Sequence, residues 1–324
     1  MSEKPDPLQA NNDPPTLRAM RFGELLDTTF SLYRTHFWSF LGIAAGYFMV
    51  MVIGTSIRSF IALTGRSGQP MIWISITCAV VGVSVVVISG LVFACSQAYL
   101  GEAIRIGVAL RRATRQFWRC FVGLFIYTVL ATLFTFLAAL PLGGILNAVS
   151  ANESLTIAFG LIVICLMVGT TGWFLTYWCF FVAAVLVEGK LIWPGLRRRR
   201  ELLGRARWRI VGMMFGILLL AFVVAVILRA TFAFPLTFSG LEGLGDFFDN
   251  VGWMVFWRLP IAPNEFQVAY LLMYVINFGI DTFTLPIWVI GGTLLYFDQR
   301  IRKEGFDIEV MATYQAGDSD ARTI

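Results

Sequence analysis

The side chains that could do chemistry are few. The chain contains a single histidine, His36, whereas a metal-dependent hydrolase needs paired histidines and clustered carboxylates to hold its ion and move protons. Set beside Phe37 and Trp38, His36 reads as a polar residue at headgroup level. The five cysteines, Cys78, Cys95, Cys120, Cys165 and Cys179, fall in or at the edges of apolar runs without CxxC spacing. They read as small buried hydrophobes, not as a disulfide framework or a zinc site. No phosphate-binding loop, nucleophile elbow or HExxH stretch is present. The expectation is a chain that is not an enzyme and takes no cofactor and no metal.

Three groups of charges remain. Asp281 and Arg229 both stand inside apolar stretches. Asp281 lies about 25 Å along a continuous helix from Asp298, and Arg229 about 31 Å from Trp208, at 1.5 Å per residue. Similar depths near the outer edge of the hydrocarbon predict an ion pair between the last two crossings. Arg197, Arg198, Arg199 and Arg200 form a basic run, and Arg111 and Arg112 a second basic pair. These read as contacts to anionic lipid headgroups on the cytosolic side rather than to nucleic acid. Asp298 and Arg302 would stand one turn apart on a helix that Gly305 ends, a structural cap rather than a ligand site.

The elements that must position these residues are membrane helices. Of 324 residues, 58% are hydrophobic and only 14% charged, with a mean hydropathy of +0.75. A soluble core of this size could not hide so much apolar surface, and lipid demands runs of about 20 apolar residues folded as helices. Six runs satisfy this, at 38–57, 72–97, 120–146, 155–180, 210–234 and 272–297. Two of the underlying stretches, 155–187 and 268–297, are too long for a straight crossing. Pro286 would kink the second, and Trp173, Tyr177 and Trp178 predict that the first meets an interface and runs on at the surface to Glu188. The fold class expected is all-α and membrane-embedded, six transmembrane helices with basic amphipathic surface helices on the cytosolic side.

Orientation follows from the basic residues. Alternate loops and tails carry 21 of the 25 Lys and Arg, including Arg105 to Arg119 and Lys190 to Arg209, against four on the other side, Arg58, Arg66, Arg229 and Arg258. The positive-inside rule then puts both termini in the cytoplasm. No cleavable signal is visible. Pro5, Pro7, Pro14 and Pro15 make residues 1–16 read as a disordered cytosolic tail, and residues 312–324 read as a cytosolic C-terminal tail.

A frame of Trp, three residues, Gly, three residues, Gly occurs in WSFLGIAAG at 38–46 and again in WRIVGMMFG at 208–216. Trp118 with Gly123 is a looser copy. Each follows a basic amphipathic stretch that has a Gly and Glu pair near its start: Gly23 with Glu24, Gly101 with Glu102, Glu188 with Gly189. The register suggests three units of surface helix, crossing and return crossing, at about 17–100, 101–187 and 188–311. Leu25, Leu26, Phe30, Leu32 and Tyr33 on the first surface helix, and Ile104, Val108, Leu110 and Phe117 on the second, would face the membrane. Gly42, Gly46, Gly123, Gly212 and Gly216 would let neighbouring helices approach closely.

The N-terminal RFGELLDTTFSLYRTHFWSFLGI, the central LVEGKLIWPGLRRRRELLGRARWRIVG and above all LYFDQRIRKEGFDIE resemble the membrane-domain family named after glycerophosphodiester phosphodiesterases, over most of residues 18–311. It departs in the centre, where Arg199 and Arg200 replace a Ser and an aromatic. The resemblance implies a bacterial multi-pass protein of the inner membrane, without the catalytic domain.

Two functional readings stay open at this point. One is a non-catalytic scaffold or accessory subunit, in contact with lipid and with a membrane-protein partner or a second copy of itself. The other is a transporter or flippase of an amphiphilic or lipid-like molecule, which the long loop at 234–266 would serve as a lid if it does not lie in the outer leaflet as an anchoring surface helix.

Overall fold

The computed structural model describes residues 20–63, 70–149, 153–189, 207–237 and 268–305, with Leu191, residues 193–195 and Arg197. Helices make up its regular structure: α1 (Phe22–Thr35), α2 (Phe37–Leu63), α3 (Pro70–Tyr99), α4 (Ile106–Arg115), α5 (Phe117–Val149), α6 (Glu153–Val187), α7 (Arg207–Thr237) and α8 (Val268–Glu304). Six are long and apolar enough to cross a membrane, over Phe37–Ile57, Thr77–Tyr99, Phe117–Phe134, Val168–Val187, Arg207–Phe232 and Val275–Glu304. The protein is an all-helical, multi-pass membrane protein. The terminal tails and almost all of the loop at 234–266 lie outside the described residues.

Three helices lie inside and three outside. α3, α6 and α8 touch one another, while α2 leans on α3 and α8, α5 on α6 and α3, and α7 on α8 and α6. The difference in burial is large: 89% of the α8 span is buried against 17% of the α5 span. α8 is therefore the core of the bundle, which explains why it is apolar on every face from Leu285 to Phe297. The same reason corrects one expectation. Residues 178–186 of α6 do not run along a surface; Trp178 to Leu186 are all buried, with Phe181, Val182 and Ala184 to Leu186 fully so. The crossing is displaced toward the C-terminus of that stretch, and its continuous hydrophobicity reflects protein on all sides.

The outer helices bury the same face. The second residue after each tryptophan, Phe40, Cys120 and Ile210, is fully buried, and so nearly is the ninth, Tyr47, Tyr127 and Ile217. Seven residues separate those two positions, two helical turns along one stripe. The breaks before two of these helices are alike too. His36 (φ −114°, ψ 29°) and Gln116 (φ −103°, ψ 11°) each interrupt the helix for one residue, their N–H groups donating to the carbonyls of Leu32 and Arg112.

Each inner helix ends on a left-handed glycine. Gly101 (φ 78°) follows α3, Gly189 (φ 66°) follows α6 and Gly305 (φ 64°) follows α8, and they are the only positive-φ residues among those described. A Cβ would cost about 1–2 kcal/mol in that conformation, and the glycines let the last turns close, as where Glu102 N–H donates to Gln97 O at 2.8 Å.

The two short helices cover much of their apolar faces with protein. α1 runs antiparallel along α8: Met20 N–H donates to Asp298 at 2.7 Å at one end, and Tyr33 Oη to the carbonyl of Phe283 at 3.0 Å at the other. Its inward face is Leu25 and Thr29, both fully buried, with Leu26, Leu32 and Tyr33 against the core; Phe30 alone of the five expected residues is exposed. α4 lies likewise on α3 through Ala109, Ala113 and Leu110, leaving Ile106 and Val108 exposed.

Candidate functional site

The intramembrane charges meet. Arg229 on α7 donates through Nη2 to Asp281 Oδ1 at 2.5 Å and through Nε to Asn277 Oδ1 at 3.0 Å. Their side chains are only 13% and 11% exposed. Asn277 and Asp281 are one turn apart on α8, so a single face of that helix grips two sides of the planar guanidinium. Asn277 was missed by sequence reading, though its spacing of four from Asp281 was a usable signal. Chemically the pair is self-neutralising. A buried charge in hydrocarbon is tolerated when its partner is fixed, and here the fixed partner also ties α7 to α8.

Several buried threonines follow the same logic locally. Thr170, Thr176, Thr282, Thr284 and Thr293 each donate to the carbonyl four residues back in their own helix, which satisfies the hydroxyl without offering it to a ligand.

A second polar cluster lies at the far end of α8. Asp298 is fully buried. It accepts from Met20 N–H, from Gln299 Nε2 at 2.9 Å and from Arg302 Nε at 2.9 and 3.0 Å, with Arg209 Nη2 at 3.9 Å. Arg302 in turn donates to the carbonyl of Met20 at 2.6 Å. The i,i+4 pair of Asp298 and Arg302 is thus formed, and it also holds the backbone just before α1. Beside it, Tyr296 Oη donates to Glu188 at the end of α6, and Arg300 Nε lies 3.9 Å from Glu188 and 3.4 Å from Glu304. Sequence reading missed this contact because Glu188 and Tyr296 are 108 residues apart and nothing local links them. Burial pushes the Tyr33 hydroxyl up to about 12, so it stays a donor to Phe283 at neutral pH.

The expected headgroup arginines divide. Arg111 and Arg197 are exposed, whereas Arg112 lies 4.6 Å over the ring of Phe93, a cation–π contact that turns it toward α3. Arg198, Arg199 and Arg200 lie outside the described residues.

The glycines divide as well. A Cβ on Gly123 would fall 2.1 Å from the ring of Phe181, which is itself fully buried, and one on Gly216 would meet Phe22 at 2.7 Å. Gly42 and Gly46 stand against Ile106 and Val87 at 3.2 and 3.3 Å. Gly212 does not serve as a packing glycine: it is exposed, with nothing within 4 Å of its missing Cβ. Four residues from Gly216 on the frame, it sits just past Trp208 on the outward side of α7. Sequence reading passed over Gly291, which admits Ile217 of α7 to within 2.8 Å of the Cβ position. Among the described residues no group of three His, Cys, Asp or Glu is placed to hold a metal ion. No protein-family model matches this chain, and no curated protein or solved structure does.

Proposed function

We propose that this protein is a non-catalytic scaffold or accessory subunit of a bacterial inner membrane, built from three repeated units with both termini in the cytoplasm. The observation that carries the reading is the inner triangle. The buried residues of α3, α6 and α8 belong to one largely apolar cluster, Leu91 to Ala94, Phe180 to Leu186 and Trp288 to Ile290 among them, and the intramembrane charges are bonded to each other. Such a bundle suits holding a shape more than passing a solute.

The helix contacts support the three units. The first crossing of each unit packs on its own return and on the return of the unit before it, and the rule closes cyclically, since α2 packs on α8. α4 lies on the return of the preceding unit, and so, across the closure, does α1. Gly195 continues the pattern in the third unit, its Cβ position 3.3 Å from Phe181 of α6. The three left-handed glycines mark the unit ends. The resemblance to the phosphodiesterase membrane-domain family fits a bacterial protein of this kind, and the 21 basic residues on one side fit the orientation.

The test is native mass spectrometry of the protein released from nanodiscs formed directly from its own membrane. A second polypeptide at fixed stoichiometry, or a defined homo-oligomer, is the expected result. A lone chain that retains one defined small molecule, lost on Asp281→Asn, would replace the scaffold with a transporter.

A further inference from the structure

Trp38, Trp118 and Trp208 stand at the second position of α2, α5 and α7, and they are 79%, 72% and 73% exposed. A large amphipathic ring so exposed at the same place three times is not a packing residue, and the burial of Phe40, Cys120 and Ile210 two positions on fixes the indoles on the outward face. Each ring is braced by another aromatic: Phe37 at 5.4 Å, Phe117 at 5.4 Å and Trp173 at 5.1 Å. An exposed arginine precedes each tryptophan within about one helical turn: Arg34 four residues before Trp38, Arg115 three before Trp118 and Arg207 one before Trp208.

We infer that these three junctions are equivalent docking points for an acidic glycerophospholipid of the cytoplasmic leaflet. Indole prefers the boundary between headgroup and acyl chain, where the ring is covered and the N–H reaches a glycerol or ester oxygen. Guanidinium a few residues away on the polar side matches the lipid phosphate, with two N–H donors to two oxygens. The excess of basic residues on that side, 21 Lys and Arg against 14 Asp and Glu, favours an anionic lipid over a zwitterionic one. The three points would set the depth and tilt of the bundle, as three contacts define a plane. This rests on the three-unit reading proposed above.

The experiment uses the full chain in nanodiscs of phosphatidylcholine with a minor share of phosphatidylglycerol, followed by native mass spectrometry. Three retained phosphatidylglycerol molecules are expected at saturation. Trp118→Ala with Arg115→Gln, Trp38→Ala with Arg34→Gln, and Trp208→Ala with Arg207→Gln should each remove one, and all six together should leave none. These positions are exposed, so an unchanged melting temperature in a lipid-free detergent serves to show that each variant is folded. Retention that is unaffected by the substitutions, or equal for phosphatidylcholine, overturns the inference, and so does loss of every lipid from one pair, which would mean a single site. The polypeptide stoichiometry is read in the same spectra, so a failure of the lipid sites is distinguishable from a failure of the scaffold reading.

Discussion

An arginine among the valines and leucines of α7 survives because Asp281 and Asn277 take its N–H groups on two sides. Removing one partner of such a buried pair leaves a charge that hydrocarbon cannot solvate, whereas removing both leaves two neutral amides. Asp281→Asn and Arg229→Gln should therefore each cost on the order of 3–5 kcal/mol in thermal or denaturant stability. The double variant should cost less than the sum, by about 1 kcal/mol or more. A strictly additive cycle would mean that the two charges are stabilised separately and that the pair does not fasten α7 to α8. The pair was legible in the sequence because both charges interrupt apolar runs and helix arithmetic places them at one depth. The role of Gly212 was not legible, because a Gly frame records spacing along one helix and not the direction in which that helix faces.

At the scale of elements, the crossings were readable and their partners were not. Hydropathy located all six spans, most closely on α2 and α7; on α6 an apolar run longer than a membrane thickness gave no sign of which part was central. Amphipathicity marked α1, yet an apolar face says only that something covers it. The cover is α8, and the fastening is Asp298, which takes Met20 N–H while Arg302 takes the Met20 carbonyl. After α3 the peptide chain itself joins the return helix to the following surface helix, through Gly101. Asp298 stands where the chain is open. Asp298→Asn keeps the shape and removes the charge, so it should loosen α1 without unfolding the crossings. Hydrogen exchange should rise selectively in amides 22–35 while α3, α6 and α8 keep their protection. If 22–35 stay as protected as before, α1 is held by its Leu25 and Tyr33 contacts alone and the latch is idle.

For the whole molecule, a cyclic contact pattern has a consequence that an ordinary bundle lacks: the position of the chain ends becomes arbitrary among equivalent joints. Gly305 and Met20 are already brought together by Arg302, so a short flexible linker can span them at small entropic cost. A permuted chain that starts at Glu102, runs through the linked Gly305 and Met20, and ends at Gly101 keeps every helix described above. It opens the α3 to α4 joint, which the proposed three-unit arrangement makes equivalent to the natural one. Such a chain should insert with six crossings and its new ends on the basic side, read by accessibility of cysteines placed there. Its stability should fall, because the opened joint has Ala94 and Ala98 at the places corresponding to Asp298 and Arg302, counting back seven and three residues from the capping glycine, and is spanned only by the exposed 3.5 Å contact from Gln97 Nε2 to Glu102. A control opened at Gln116 cuts a surface helix from its own crossing, within a unit, and should assemble much less well. Equal failure of both permutants would show that the three joints are not interchangeable and that the ring is a coincidence of packing; equal success would show that the unit boundaries carry no meaning for folding.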